Sequence, residues 1–194
     1  MPFGQLELIY GCMFSGKSEE LLQRIIRVEI ADVSYQLFKP KIDDRYEGIH
    51  KVNSHSGLSR DAQPIECASD ILSLLVPGTK VVGIDEAQFL DREIVPVCEE
   101  LVSRGKRVIV DGLNLDFRGE PFGQMHTLIA LADDARMLKA ICKSCVHQDI
   151  PNAVRTQRIV NGKAAHYLDP LIVIGAKESY EARCLFHHDV PGKR

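Results

Sequence analysis

Apolar residues return along this chain in two rhythms, one of period two and one of helical period. Leu6-Glu7-Leu8-Ile9-Tyr10 reads as a short strand. After a glycine-rich interval, Leu21, Leu22, Ile25, Ile26 and Val28 recur at the spacing that lines one helix face. Val33 to Phe38 predicts a second strand, closed by Lys39-Pro40 because proline offers no N–H to a ladder. Residues 41–63 are polar and aperiodic, which predicts a long connecting loop. A helix-like segment over 69–76 stops at Pro77-Gly78. The run Val81-Val82-Gly83-Ile84 then predicts an apolar strand that ends in Asp85 and Glu86. Glu93 to Arg104 carries Ile94, Val97, Leu101 and Val102 as a helix ended by Gly105. Arg107 to Gly112 predicts another buried strand, Leu128 to Leu131 a short helix, and Arg136 to Ile141 a last strand. Strands alternating with helices predict an α/β fold, a mostly parallel sheet with helices on both faces.

Near residue 141 the rhythm breaks. Cys142-Lys143-Ser144-Cys145, Ala164 to Leu168, Leu171 to Gly175 and Cys184 to His187 show little helical period. The expected organisation is an α/β domain over 1–140, a small second module over 141–190, and a frayed tail at 191–194.

The chain has 194 residues, enough to bury a proper core. A formal charge of −3 and a pI near 6.2 argue against a dedicated nucleic-acid binder, which usually presents a basic face. No apolar run reaches the length of a membrane span, and the N-terminus has no signal-peptide core. With no export signal, six cysteines spread unevenly over 12, 67, 98, 142, 145 and 184 suggest a reducing, cytoplasmic setting and a metal site rather than a disulfide framework.

Between the first strand and first helix stands Gly11-Cys12-Met13-Phe14-Ser15-Gly16-Lys17-Ser18, a G-x-x-x-x-G-K-S P-loop in the context the motif requires. Its glycines let backbone N–H groups converge on phosphate at a helix N-terminus. Lys17 reaches the outer phosphates, and the Ser18 hydroxyl can ligate Mg²⁺. The chain is therefore expected to bind a nucleoside triphosphate. Asp85 reads as the Mg²⁺-holding carboxylate at the end of a neighbouring strand. Glu86 is a candidate base: it either deprotonates a substrate hydroxyl, as in a kinase, or positions water, as in an ATPase. A nucleic-acid motor with a zinc ribbon and a non-hydrolysing nucleotide switch are the competing classes. The acidic net charge weighs against the first, and the presence of Lys17, Asp85 and Glu86 together against the second.

Cys142-x-x-Cys145 and Cys184-x-x-His187 have the ligand types and spacing of a structural Zn²⁺ site. His188 adjoins His187 and is an alternative fourth ligand. Cys12, Cys67 and Cys98 have no such partners and read as packed or half-exposed thiols.

Taken in order, the P-loop at Gly11 to Ser18, Asp85-Glu86-Ala87-Gln88-Phe89, the Gly112 to Phe122 segment, Val173 to Tyr180 and the zinc pairs resemble the cytosolic, zinc-containing thymidine kinase family over nearly the whole chain. That resemblance implies a P-loop NTPase fold of RecA-like type with a small zinc-binding lasso. It implies transfer of the γ-phosphoryl of ATP to the 5′-hydroxyl of thymidine, with deoxyuridine also accepted, in nucleotide salvage. It further implies Mg²⁺, feedback inhibition by thymidine triphosphate, a homotetramer, and no nucleic-acid or membrane partner. By position, Glu86 resembles the general base, and Ser18 and Asp85 the Mg²⁺ ligands. Ala87 and Gln88 fall in the nucleotide site, and Arg45 of Asp43-x-Arg45-Tyr46 on phosphate charge. Met13, Phe89, Leu113, Phe117, Thr156, Val173 and Tyr180 match positions that enclose the nucleoside, under a lasso that closes over the base. The chain departs from the commoner family pattern at Cys12, with its oxidisable side chain, at Asn114, where an acid is common, and in a histidine fourth ligand.

Overall fold

The computed structural model describes residues 4–41, 50–145, 152–172 and 178–193. In chain order the elements are β1 (Gln5–Gly11), α1 (Lys17–Ile30), β2 (Tyr35–Pro40), β3 (Lys51–Asn53), β4 (Ser59–Asp61), β5 (Gln63–Ile65), α2 (Asp70–Leu74), β6 (Val81–Ile84), α3 (Ile94–Ser103), β7 (Arg107–Gly112), α4 (Met125–Leu131) and β8 (Asp134–Leu138). Six strands form one parallel sheet in the order β5-β2-β6-β7-β1-β8. Side chains alternate between the faces of each strand. Leu6 and Leu8 of β1 and Val108 and Val110 of β7 face α2, α3 and α4, whereas Ile9 and Ile109 face α1. Leu21, Leu22 and Ile25 of α1 are fully buried there, and each contributes about 1.5–3 kcal/mol of burial. This two-sided core fixes α1 beneath the loop that precedes it.

The 41–63 loop expectation needs correction. β3 and β4 form an antiparallel hairpin whose Val52 packs against α1, and Arg60 donates to both Glu29 oxygens at 2.8 Å. These strands are three residues long, too short to show a period in sequence. Nor does Lys39-Pro40 end pairing: β2 runs through Pro40 and pairs with β5 over Phe38 to Pro40. Pro40 is tolerated because β6 has already stopped pairing at Phe38, while Lys41 N, one residue on, donates to Ile65 O at 2.9 Å.

Beyond β8 come β9 (Ala140–Ile141), β10 (Asn152–Ala153), β11 (Arg155–Val160), β12 (Lys163–Ala164) and β13 (Glu178–Arg183). The predicted single strand over 136–141 is thus split: β8 belongs to the main sheet, and β9 pairs with β10. β12, β11 and β13 form a small antiparallel sheet. Its first hairpin turns on Asn161 and Gly162, both at positive φ, as an Asn-Gly turn requires. The segment expected to fray is held down. Tyr167 N donates to Pro191 O at 2.8 Å and Lys193 Nζ to Arg118 O at 2.5 Å, and just before that segment Gln157 exchanges two 2.8 Å bonds with Asp189. Among the described residues no helix is long and apolar enough to cross a membrane.

Candidate active site and metal centre

β1 delivers the P-loop at its C-terminal end. A Cβ on Gly11 would meet the Leu138 carbonyl oxygen at 2.2 Å, so β8 can pass this close only against glycine. Gly16 caps α1 at φ 86, in the left-handed region that glycine enters freely. Between them Lys17 Nζ folds back to Cys12 O at 3.2 Å. Ser15 Oγ is buried with no hydrogen-bond partner among the described residues. An orphaned hydroxyl in the loop that leads into a helix N-terminus suits an anion such as phosphate.

Ser18 Oγ donates to Asp85 Oδ1 at 3.1 Å. Neighbouring oxygens around octahedral Mg²⁺ lie about 3 Å apart, and hard oxygen donors are what that ion takes. The pair therefore fits Mg²⁺. Glu86 follows in a left-handed turn at φ 52, with its N–H donated to Asp111 Oδ1 at 3.0 Å. Its carboxylate accepts Gln88 Nε2, and Gln88 Oε1 accepts Leu113 N–H at 2.9 Å. Room for the Gln88 amide comes from Gly112, where a Cβ would lie 2.6 Å from Oε1. Burial, and then the nearby Glu86 carboxylate, push the Asp111 carboxyl up to about 6 against the pull of Lys17. Sequence reading passed over Asp111, although an acid closing an apolar strand is the signal that singled out Asp85.

The second module meets the P-loop directly. Met13 N donates to Thr156 Oγ1 of β11 at 3.0 Å. Cys12 packs with Ala140, Cys142, Ala153 and Ala182, and its Sγ donates to Ala153 O at 3.4 Å. Burial pushes this thiol up, so Cys12 is a packed, protonated side chain rather than the oxidisable one its position suggests. Leu113 and Phe117 are buried after β7, Ala87 is buried beside Gln88, and Phe89 meets the Phe122 ring edge-on at 5.5 Å. Tyr180 of β13 pairs in register with Arg158, whose guanidinium sits 5.1 Å from the Phe117 ring. Phe14 points outward, 5.8 Å from the His55 ring at the tip of the β3–β4 hairpin. Arg45 and Val173 lie outside the described residues.

Cys142, Cys145, Cys184 and His187 converge, with their ligand atoms all within 4.8 Å of one another. His187 Nδ1 is 3.2 Å from Cys145 Sγ and from Cys184 Sγ and 3.7 Å from Cys142 Sγ, and the Cys145 and Cys184 sulfurs are 3.6 Å apart. Tetrahedral Zn²⁺ with ordinary bond lengths places such atoms about 3.5–3.8 Å from each other, so the cluster fits the ion with no position left open. Burial raises the Cys142 thiol, but the backbone groups of Cys184 and Ser144 and the Cys145 and His187 side chains outweigh it and bring it to about 6. His188 does not compete for this centre: its Nε2 turns away to Phe117 O at 2.9 Å.

A family model described as "Thymidine kinase" matches residues 4–188. A protein named "Thymidine kinase" from Coprothermobacter proteolyticus is 53% identical over 190 residues, which is 98% of this chain and 93% of that one. A match of this length and closeness places the chain in the thymidine kinase family.

Proposed function

We propose that this protein transfers the γ-phosphoryl group of ATP to the 5′-hydroxyl of thymidine, giving thymidine monophosphate and ADP, and accepts deoxyuridine as a second substrate. One observation carries the proposal beyond nucleotide binding. Met13, inside the phosphate loop, donates its N–H to Thr156 of the zinc-bearing module, so donor and acceptor pockets share a wall. Gly11 to Ser18 hold the triphosphate and Lys17 neutralises its outer phosphates. Ser18 and Asp85 would hold Mg²⁺, which draws charge off the β- and γ-phosphates when bound. Glu86 takes the proton of the 5′-hydroxyl as the O5′–P bond forms and the bond to the β,γ-bridging oxygen breaks. Gln88 steadies the Glu86 carboxylate. Phosphoryl transfer depends on positioning and charge stabilisation more than on covalent help, and these residues supply both.

Met13, Phe89, Leu113, Phe117, Thr156, Val173 and Tyr180 enclose the nucleoside, and Arg45 assists phosphate charge. Closing the module over them expels water and suppresses ATP hydrolysis. Zn²⁺ at Cys142, Cys145, Cys184 and His187 is structural. Feedback inhibition by thymidine triphosphate, a homotetramer and a cytoplasmic location complete the proposal. ADP release from Mg·ATP tests it: release that depends on thymidine supports transfer. Turnover independent of nucleoside, or stimulated by single-stranded DNA, overturns it.

A further inference from the structure

Asp111 has no role in the transfer as set out above. It closes β7, the strand between the P-loop strand β1 and the acidic strand β6, and alternation turns its side chain to the α1 face with Ile109. It is fully buried, and among the described residues its Oδ2 has no donor within ordinary hydrogen-bond geometry. The Asp85 carboxyl is its side-chain neighbour and can bond to it only when one of the two acids carries a proton. A buried carboxyl so poorly satisfied is unfavourable for folding. What it does provide is Oδ1, the acceptor for the Glu86 N–H at 3.0 Å.

Glu86 needs that support. Its φ of 52 and ψ of 42 lie in the left-handed region, which a residue with a Cβ occupies only when its surroundings hold it there. Two grips do so, and both come from the end of β7. Asp111 takes the backbone N–H, while Leu113 holds Gln88, whose amide reaches the Glu86 carboxylate. The bare Gly112 between them leaves space for the Gln88 side chain.

We propose that Asp111 is a positioning residue for phosphoryl transfer: by accepting the Glu86 N–H it holds Glu86 in its left-handed turn and keeps the carboxylate aimed at the incoming hydroxyl. This rests on Glu86 being the base. On this reading Asp111 acts only through Glu86, so its removal is expected to act on kcat and to leave both KM values alone.

Steady-state kinetics of Asp111→Ala, Asp111→Asn and Asp111→Leu, each alone and combined with Glu86→Gln, test the proposal. Asp111→Ala lowers kcat by about tenfold or more, with KM for thymidine and ATP within about twofold. Asp111→Asn keeps an acceptor oxygen and stays within about threefold of the parent. Asp111→Leu reads the same loss as alanine in a form suited to a buried apolar site, should the alanine variant not fold. In the Glu86→Gln background none of the three lowers kcat further, because the residue acts through Glu86. Equal kcat for the alanine or leucine variant and the parent overturns the proposal, and so does a loss that persists in the Glu86→Gln background. An Asp111→Asn loss as deep as that of alanine also overturns it. If Glu86→Gln alone retains full kcat, it is the assignment of the base that fails.

Discussion

Ser18 Oγ, in the first turn of α1, and Asp85 Oδ1, just beyond β6, lie 3.1 Å apart although β1, which leads into α1, and β6 are separated by β7. The reach is made by α1, whose first turn projects Ser18 over the neighbouring strand ends. Ser18→Ala removes one of the two oxygens. It is expected to raise the Mg²⁺ concentration for half-maximal turnover by about tenfold, equivalent to about 1.4 kcal/mol, with the fold unchanged. A Mg²⁺ titration of activity checks it, and an unaltered midpoint removes Ser18 from the ion's shell.

Glu86→Gln keeps the shape of the side chain and its hydrogen-bonding capacity but cannot take a proton. Its kcat is expected to fall by about 10²–10⁴ while ATP affinity holds. Pre-steady-state measurement of ADP formation isolates the chemical step, and a kcat within a fewfold of the parent excludes Glu86 as the base.

Thr156→Val keeps the volume of the threonine and removes the acceptor for Met13 N–H. Leaving that donor unmade costs about 1–3 kcal/mol, which predicts a drop of about 5- to 150-fold in kcat/KM for thymidine. Thymidine-independent ATP hydrolysis, measured in the same preparation, rises as the module loses its seat on the P-loop.

Metal analysis separates the two adjacent histidines. The parent and His188→Ala retain about one zinc per chain, whereas His187→Ala and Cys184→Ser lose it. His188→Ala gives up the bond to Phe117 O and is read instead as a weaker KM for thymidine. Zinc loss from His188→Ala contradicts the geometry of the centre.

Glu7 supplies a pH-dependent contribution away from the site. It is nearly buried and accepts bonds from Arg24 Nη1 at 2.6 Å and from Arg107 Nη2 at 3.0 Å. Burial raises its carboxyl, but the Arg107 and Arg24 guanidiniums outweigh that and hold it below its ordinary value of 4.5. A lowered carboxyl stabilises the fold above the unfolded value and loses that contribution as pH falls below about 4.5 through the folded value. Glu7→Gln is therefore expected to cost about 1–3 kcal/mol at neutral pH. The gap to the parent should narrow below pH 4.5. Urea unfolding at pH 7 and at pH 4 compares the two, and an equal gap at both contradicts the pairing.

Most of the α/β fold was legible because long apolar strands and the α1 stripe obey simple periods. Leu21, Leu22 and Ile25 announce a helix face with no help from tertiary structure. The three-residue strands β3, β4 and β5 carry too few positions to show a period, and Pro40 reads as a terminator until the early end of β6 is known. The phosphate loop and the metal quartet were readable because both chemistries demand fixed residue types at fixed spacing. The part Asp111 plays was not, because its partner is the Glu86 backbone N–H beyond the end of β6, and the fold rather than the local pattern sets that pairing. The choice between His187 and His188 likewise depended on where the Phe117 carbonyl stands.

The two arms of the second module begin and end at one point, since Cys142 and Cys145 meet Cys184 and His187 in a single cluster. The span they enclose is pinned a second time from within, where Thr156 takes the Met13 N–H of the P-loop. The entropy of closing a loop grows slowly, by about 0.6 kcal/mol for each doubling of its length. Extra residues at the Asn161-Gly162 turn, away from both the cluster and that contact, are therefore the change in length the chain is expected to absorb.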